Sequence, residues 1–454
     1  MIRPKLDPQF YPMIKALEDY EAYVNAADKE DTTTISIVVE RNGGYNYVYT
    51  YLGLKDGVND NLNYRIAERL VKTILWVCGG YKISINGSRY IYSRLQEAYS
   101  ATGARAFDSD FMSGVYERAF EVEYIDEVPS QRNASVKVGG FLKGCRIGFD
   151  AGGSDRKVSA VIDGEVVYSE EVVWNPKITS DPTYHYNEIL TAIKTAASKM
   201  PRVDCIGVSS AGVYVDNKIM VASLFLKVDK SIHGDYVKNM YINVAKEMGV
   251  PIEVANDGDV TALAGSIDLN DNKVLGIAMG TSEAVGYINA DGCINGWLSE
   301  LAFAPVDFNK GAMQDEWSGD VGVGCKYFSQ DAVIKLAEAG GYVFEEGLTP
   351  AQKLKVIQAL VEQDDELARN IYTDIGIYLG YTIPFYAKFY DIKHMLLLGR
   401  VMGGKGGNII LDSCMRTLRT EYPAFADLDV SLPDENSRRV GQSIAAASLP
   451  ADVE

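Results

Sequence analysis

The sequence predicts an α/β chain of two halves, each made of strands followed by helices. The halves face one another across a cleft, with a smaller α+β unit ahead of them. Two observations carry this expectation. The first is a glycine hairpin that occurs twice, about one domain length apart. One copy reads Ile147-Gly148-Phe149-Asp150-Ala151-Gly152-Gly153-Ser154, and the other Ile277-Ala278-Met279-Gly280-Thr281-Ser282. Each is an apolar strand, a tight turn of glycine plus hydroxyl, and a second strand ending in a polar turn. Glycine lets the backbone take positive φ and approach a ligand closely. Successive N–H groups beside a hydroxyl form an anion-binding concavity. The duplication, more than either turn alone, suggests a clamp that holds a polyphosphate from both sides. The second observation is size. A chain of 454 residues, 47% hydrophobic and 10% aromatic, can build two or three cored domains.

Charge and cysteine usage exclude several classes. A net charge of -18 argues against a nucleic-acid backbone or an anionic membrane as the main partner. No helix-turn-helix or zinc-finger spacing occurs. The apolar run at 392–398 is strand-length, so no membrane span is expected. The six cysteines (Cys78, Cys145, Cys205, Cys293, Cys325, Cys414) form no CxxC pair, as expected of reduced thiols in a cytoplasmic protein. Residues 1–7 carry no apolar signal region.

In chain order, residues 33–40 and 45–51 flank Asn42-Gly43-Gly44 and predict a β-hairpin. Residues 63–77 place Ile66, Leu70, Ile74 and Leu75 at helical spacing, up to Gly79-Gly80. A second hairpin is expected from 82–85 and 89–92 around Asn86-Gly87. The polar stretch 129–134 reads as a linker that closes an N-terminal unit, residues 1–140, whose many aromatics read as strand packing. The first half, residues 141–265, follows its hairpin with a strand at 166–173, a helix at 186–200 and a buried strand at 204–209. A helix at 235–248, a short strand at 251–255 and a helix at 260–267 complete it. The second half, residues 266–436, has helices at 330–339, 350–362 and 366–390, the last interrupted near Pro384. A buried strand at 394–398 and a helix at 408–421 follow. A closing helix at 437–447, within the segment 437–454, is expected to return to the first half.

Asp150 ends the first strand immediately before the glycines. Mg²⁺ sits on one or two carboxylates, waters and substrate phosphates, and Asp150 beside the clamp suits it; a turn-capping Asp is the plainer reading. Asp257, after a short strand, is placed to accept the proton of an attacking hydroxyl in phosphoryl transfer, or to cap the helix behind it. The glycines of 399–407 let a nucleoside or phosphate lie against backbone, but match neither G-x-x-x-x-G-K-[ST] nor G-x-G-x-x-G. The histidines His185, His233 and His394 lie far apart, and no G-x-S-x-G or H-E-x-x-H occurs. Asp150, the two hairpins and Asp257 together favour a nucleotide-dependent phosphoryl transferase.

These residues resemble the ROK family (repressors, uncharacterised frames and kinases) of the actin-like ATPase superfamily, over about residues 145–447. Asp150-Ala151-Gly152-Gly153-Ser154 resembles the family's D-x-G-G-T phosphate loop. Gly280-Thr281-Ser282 resembles its second phosphate loop, and Gly399, Gly403 and Gly404 its adenosine-side glycines. The segment 207–212 is similar to the sugar-side G-x-x-x-P-G, ending on Gly212 with Ala211 for the proline. Residues 256–264 resemble N-D-A-N-A-A-A-L-G, whose Asp is the catalytic base, a role that falls on Asp257. The resemblance implies two actin-like, ribonuclease H-like subdomains around the cleft. It implies ATP and Mg²⁺ as cofactors, with Asp150 holding the metal through water. It also implies a small sugar-like substrate contacted by Gly212, Asn256, Asp257 and Glu300, and is compatible with a homodimer.

The departures fall on the acceptor side. The family's G-E-x-G-H reads Ser299-Glu300-Leu301-Ala302-Phe303, and Phe303 cannot bond a sugar hydroxyl as the histidine would, which should alter specificity. The zinc-binding C-x-C-G-x-x-G-C is reduced to Asp320-Val321-Gly322-Val323-Gly324-Cys325. One thiolate cannot hold a tetrahedral zinc, so no zinc site is expected. Asp155 stands where many relatives carry Lys. The expected function is ATP-dependent phosphorylation of a sugar or sugar-like hydroxyl compound. The alternative from another class is a non-catalytic sugar or nucleotide sensor of the ROK type.

Overall fold

The computed structural model describes residues 1–133, 137–433, 441–442 and 444–452. The N-terminal sheet contains β1 (Thr32–Glu40), β2 (Asn46–Leu54), β3 (Lys82–Asn86) and β4 (Glu121–Tyr124), in the order β2-β1-β3-β4. Apolar residues of β1 and β3 (Ile35, Ile37, Val39, Ile83, Ile85) pack under the helix Asp60–Cys78, whose apolar face includes Ile66, Leu70 and Ile74. The expected hairpin around Asn86-Gly87 is a strand-to-helix corner instead. Gly87, at φ 93°, turns the chain away. Ser88 then caps a helix, Arg89–Ala98, by accepting from Ile91 N–H, and the Asp56 carboxylate accepts from Arg89 and Tyr90 N–H. The place beside β3 goes to β4.

The first half forms one sheet from β5 (Cys145–Ala151), β6 (Asp155–Ile162), β7 (Glu165–Val173) and β8 (Cys205–Ser210). A small hairpin, β9 (Val213–Val215) and β10 (Lys218–Val221), intervenes before β11 (Ile252–Asn256). The order is β11-β8-β5-β6-β7, with β5, β8 and β11 parallel and β6 and β7 folded back as a meander. β8 is buried throughout and β5 at all but Asp150, whereas β7 alternates half-buried and exposed residues, as an edge strand does. The helix Pro182–Ala197 starts earlier than its apolar spacing predicts, because Asp181 accepts from Thr183 N–H and caps it.

The second half repeats the plan with β12 (Val274–Met279), β13 (Glu283–Ile288), β14 (His394–Leu398) and β15 (Asp429–Ser431), ordered β13-β12-β14-β15. The helix Glu366–Tyr386 runs unbroken through Pro384, contrary to expectation; the proline falls in its last turn and forfeits the one bond its own missing N–H would make. Of the expected closing helix, 437–440 and 443 lie outside the described residues, as do 453–454. Residues 444–447 are helical, and Ala445, Ala446 and Leu449 pack with Val260, Leu263 and Leu396.

The N-terminal unit is bonded into the second half. The amides of Lys5 and Leu6 donate to Asp374 (2.9 and 2.7 Å), and Phe10 lies edge-on to Tyr378 with ring centroids 4.6 Å apart. The deepest link is ionic. Lys72, fully buried, reaches Asp108 at 2.8 Å and Asp320 at 3.2 Å. Arg69 and Arg105 also meet Asp320, at 3.0 and 2.7 Å. Burial pushes the Asp320 carboxyl up, but Arg69 and Lys72 outweigh it and hold the group below its usual range. Removing that carboxylate leaves Lys72 with Asp108 alone and Arg69 and Arg105 sharing Glu68, three poorly solvated cations against two carboxylates. Asp320→Ala should therefore lower unfolding free energy by about 3–5 kcal/mol, read by denaturant titration; a loss below about 1 kcal/mol, the level of a surface pair, contradicts this account of the cluster.

Candidate functional site

The site is set by strand ends. In register, Asp150 of β5 lies beside Ser209 of β8, and Ser210 lies beside Asn256 of β11. Neighbouring strands lie about 4.8 Å apart, so the ends of β5 and β11 are separated by roughly 10 Å. Ligands in open α/β sheets bind outside such carboxyl ends. In the second half Ala278 of β12 pairs with Leu398 of β14. Gly280 and Gly399 therefore leave two adjacent parallel strands side by side. Gly399 takes φ 94°, and a Cβ there would meet the Met279 backbone at 2.3 Å, so only glycine allows that approach.

Asp150 is oriented by Ser209, whose hydroxyl donates to Oδ1 at 2.9 Å, and Lys157 Nζ stands 4.0 Å from Oδ2. Burial raises its pKa, and Ser209 and Lys157 counter part of that rise. Asn256, rather than Asp257, caps the helix Asp257–Leu269: its Oδ1 accepts from Gly258 N–H at 2.7 Å, while its Nδ2 donates to the Gly212 carbonyl at 2.7 Å. The Asp257 carboxyl, in the first turn, is pushed up to about 6, chiefly by burial and next by the charge of Asp150.

Glu300 is delivered by the N-terminal unit. The amides of Leu298, Ser299 and Glu300 donate to the carbonyls of Cys78, Val77 and Trp76 (3.4, 2.9 and 3.0 Å), which are end groups of the helix Asp60–Cys78. A helix C-terminus leaves such carbonyls without partners inside the helix. Burial, with Asp257 and Asp259 adding repulsion, pushes the Glu300 carboxyl up to about 7. Phe303 turns into an aromatic cluster, its ring centroid 4.5 Å from Trp76 and 5.5 Å from Phe107. The segment expected to lack zinc is tied by ion pairs: Asp320 meets Arg69, Lys72 and Arg105, and Cys325 Sγ donates to Asp315 at 3.5 Å.

On the hairpin side, the turn 152–154 joins β5 to β6, and Trp174 Nε1 donates to the Gly152 carbonyl at 2.7 Å. Lys177 lies over it: a Cβ on Gly153 would stand 2.7 Å from Lys177 Nζ. In the second hairpin, Thr281 and Ser282 are exposed, but Gly280 N–H donates to the Ser282 carbonyl at 3.0 Å, so that donor serves the turn itself. Arg400 Nη2 donates to Thr281 Oγ1 at 3.3 Å, which joins this hairpin to the third glycine segment. Gly403 caps the helix Gly404–Glu421, and Lys405 N–H in its first turn donates to Glu362 Oε1 at 2.7 Å.

Several of these groups escape a motif reading. Lys177 sits in a 3₁₀ turn with no signature. Glu283, immediately after Ser282, is fully buried with neither carboxylate oxygen bonded, and burial and Glu300 push it from its ordinary 4.5 to about 8. Asp259, bonded by Tyr287 N–H at 3.1 Å, is pushed up to about 7 by burial. The only signal available was a carboxylate inside an apolar strand and another inside a helix face.

No protein-family model and no curated protein matches the sequence. Among solved structures, the ROK hexokinase from Thermus thermophilus superposes with a TM-score of 0.52 at 15% identity, covering 66% of this chain and 97% of that one. A ROK family transcriptional regulator, a homolog of the E. coli MLC protein, gives 0.51 at 18% identity, covering 68% and 78%. A ROK family glucokinase from Streptomyces griseus in complex with glucose and AMPPNP gives 0.44 at 19% identity, covering 67% and 99%. The chain has the ROK-family fold, with two actin-like subdomains, a fold that sugar kinases share with a transcriptional regulator.

Two outcomes follow from the carboxyl cluster. Because Asp150 contributes to the raised value of Asp257, Asp150→Asn should move the Asp257 titration below about 6 in carbon NMR of aspartate-labelled protein; an unchanged midpoint contradicts the coupling. Glu283 binds its proton more tightly folded than unfolded. Its stabilising contribution is therefore complete at low pH and is lost as pH rises from 4.5 to about 8. Glu283→Gln should flatten the decline of the urea midpoint across that window, and a slope equal to the wild type contradicts the assignment.

Proposed function

We propose that the protein is an ATP- and Mg²⁺-dependent kinase of a sugar or sugar-like hydroxyl compound. The observation that carries the reading is the Asp257 carboxyl, half-buried in the first helical turn after β11, within reach of the Asp150 charge and raised to about 6. A base with that value is ionised at neutral pH and still basic enough to take a proton in the transition state. Asp257 accepts the proton of the acceptor hydroxyl as its oxygen attacks the terminal phosphorus of ATP. Glu300, Asn256 and Gly212 orient the acceptor. Asn256 does so largely through the backbone it braces, since both ends of its amide are already bonded.

Backbone donors of Gly152, Gly153, Ser154 and Thr281, with the Ser282 hydroxyl, would bind the phosphates. Gly399, Gly403 and Gly404 would carry the nucleoside end. The chemistry of the Asp150 carboxylate suits a hard cation next to a phosphate loop; Asp150 would hold Mg²⁺ through water, and the metal would supply charge neutralisation on the phosphates. Lys177 adds a cation over the first hairpin. Closure of the two halves would exclude water, the competing acceptor.

The sensor reading is favoured by one observation: Phe303 is committed to the Trp76 and Phe107 cluster, so the family histidine's contact with a sugar has no counterpart there. An ADP-release assay over a broad sugar panel with ATP and Mg²⁺ separates the two. Turnover is expected for at least one sugar, rising with pH through about 6 as Asp257 ionises. Asp257→Asn should reduce it by about 10²-fold or more. Sugar binding by calorimetry without ADP release from any sugar in the panel overturns the kinase reading.

A further inference from the structure

A cavity of about 320 Å³ opens next to the acceptor groups and is walled by all three parts of the chain. That volume falls at the small end of ligand cavities, which run roughly 300–1,000 Å³. It shares Gly212 and Asn256 with the acceptor set, and none of its lining comes from the two glycine hairpins or from 399–404. It is therefore an extension of the acceptor side, away from the nucleotide groups. One of its walls is Arg41, Tyr45 and Tyr116 of the N-terminal unit, outside the stretch that resembles the ROK family.

Two ties hold that wall across the cleft. Arg41 Nη1 donates to the Gly296 carbonyl of the second half at 2.6 Å, and Glu117 pairs with Lys238 of the first half. The lining combines ring surface with side-chain amides and carboxyls. Tyr45, Tyr214 and Trp297 are half-buried and line the space. Asn42 and Asn295 also line it; both ends of the Asn42 amide are bonded to Tyr116 and Arg118, and Asn295 Oδ1 accepts from Trp297 N–H, which leaves the Asn295 amide nitrogen as a donor. Against the single cation of Arg41 stand Asp216, Glu253 and Asp259, an arrangement that disfavours phosphate or carboxylate and suits a neutral polyhydroxyl compound. Burial pushes Glu253 and Asp259 up to about 7, so both can donate as well as accept near neutral pH.

We propose that this cavity is a subsite for a second sugar ring, so that the acceptor is a disaccharide or another glycoside rather than a free hexose. The N-terminal unit then reads the part of the acceptor that lies beyond the phosphorylated ring. The proposal rests on the sugar-acceptor reading above.

The test is calorimetry on the full chain with hexoses and matched disaccharides: glucose against maltose and cellobiose, galactose against lactose. Glucose 6-phosphate and glucuronate serve as anionic probes, and ADP release is measured in parallel. At least one disaccharide should bind about tenfold more tightly than its hexose, the scale of a gained aromatic contact. Tyr45→Ala should remove that advantage, with a thermal melt confirming that the variant folds. Hexoses binding as tightly as every disaccharide overturn the subsite, and ADP release from hexose in that case leaves the kinase reading standing. Preference for glucose 6-phosphate or glucuronate also overturns it, as does a panel in which no sugar binds. A disaccharide advantage without ADP release supports the subsite and overturns the kinase reading.

Discussion

The structure depends on a crowding of carboxyl groups at the base of the cleft. Asp150 and Asp257 come from the first half, Glu283 from the second, and Glu300 from the segment that the N-terminal helix anchors, with Asp259 two residues beyond Asp257. Parallel strand ends and a helix N-terminus leave these side chains little freedom to separate. Burial raises every one of them, and Asp150, Asp257 and Glu300 repel along a chain of neighbours. In a poorly solvated site such groups cannot all ionise together. The fold answers with only partial countercharge, Lys157 near Asp150 and Lys177 toward Asp257. A cleft in that condition favours a proton or an incoming cation, which is the electrostatic setting a metal-dependent phosphoryl transferase exploits.

The N-terminal unit serves the same site from behind. Its helix Asp60–Cys78 leaves end carbonyls that the amides of Leu298, Ser299 and Glu300 satisfy. Its cations Arg69, Lys72 and Arg105 meet Asp320. Trp76 and Phe107 cover Phe303. Phe303 and Asp320 are thus held by the same unit. Rings hold the first and charges the second, so both segments are packed against the N-terminal unit.

The two hairpins, the strand ends carrying Asp150 and Asp257, and most helices were legible because each is a local pattern: apolar runs, glycine turns, helical spacing. The corner at Gly87 was not, since 89–92 is equally plausible as a strand, and the choice is made by the Ser88 cap and Asp56. The ion cluster was illegible for another reason. Arg69 and Asp320 are 251 residues apart, and no period or spacing joins them. Glu283 looked like one more residue of a hairpin, and Lys177 like one more surface lysine. Their significance lies in burial and proximity, which only the assembled fold supplies.

The central claim is that the two glycine hairpins act together on one polyphosphate. Hydrogen exchange on the full chain with and without Mg²⁺ and AMPPNP tests it directly. The account predicts simultaneous protection of the amides at 151–155 and 280–283, with added protection at 399–405. Protection of one hairpin alone, or of neither at saturating nucleotide, would contradict it.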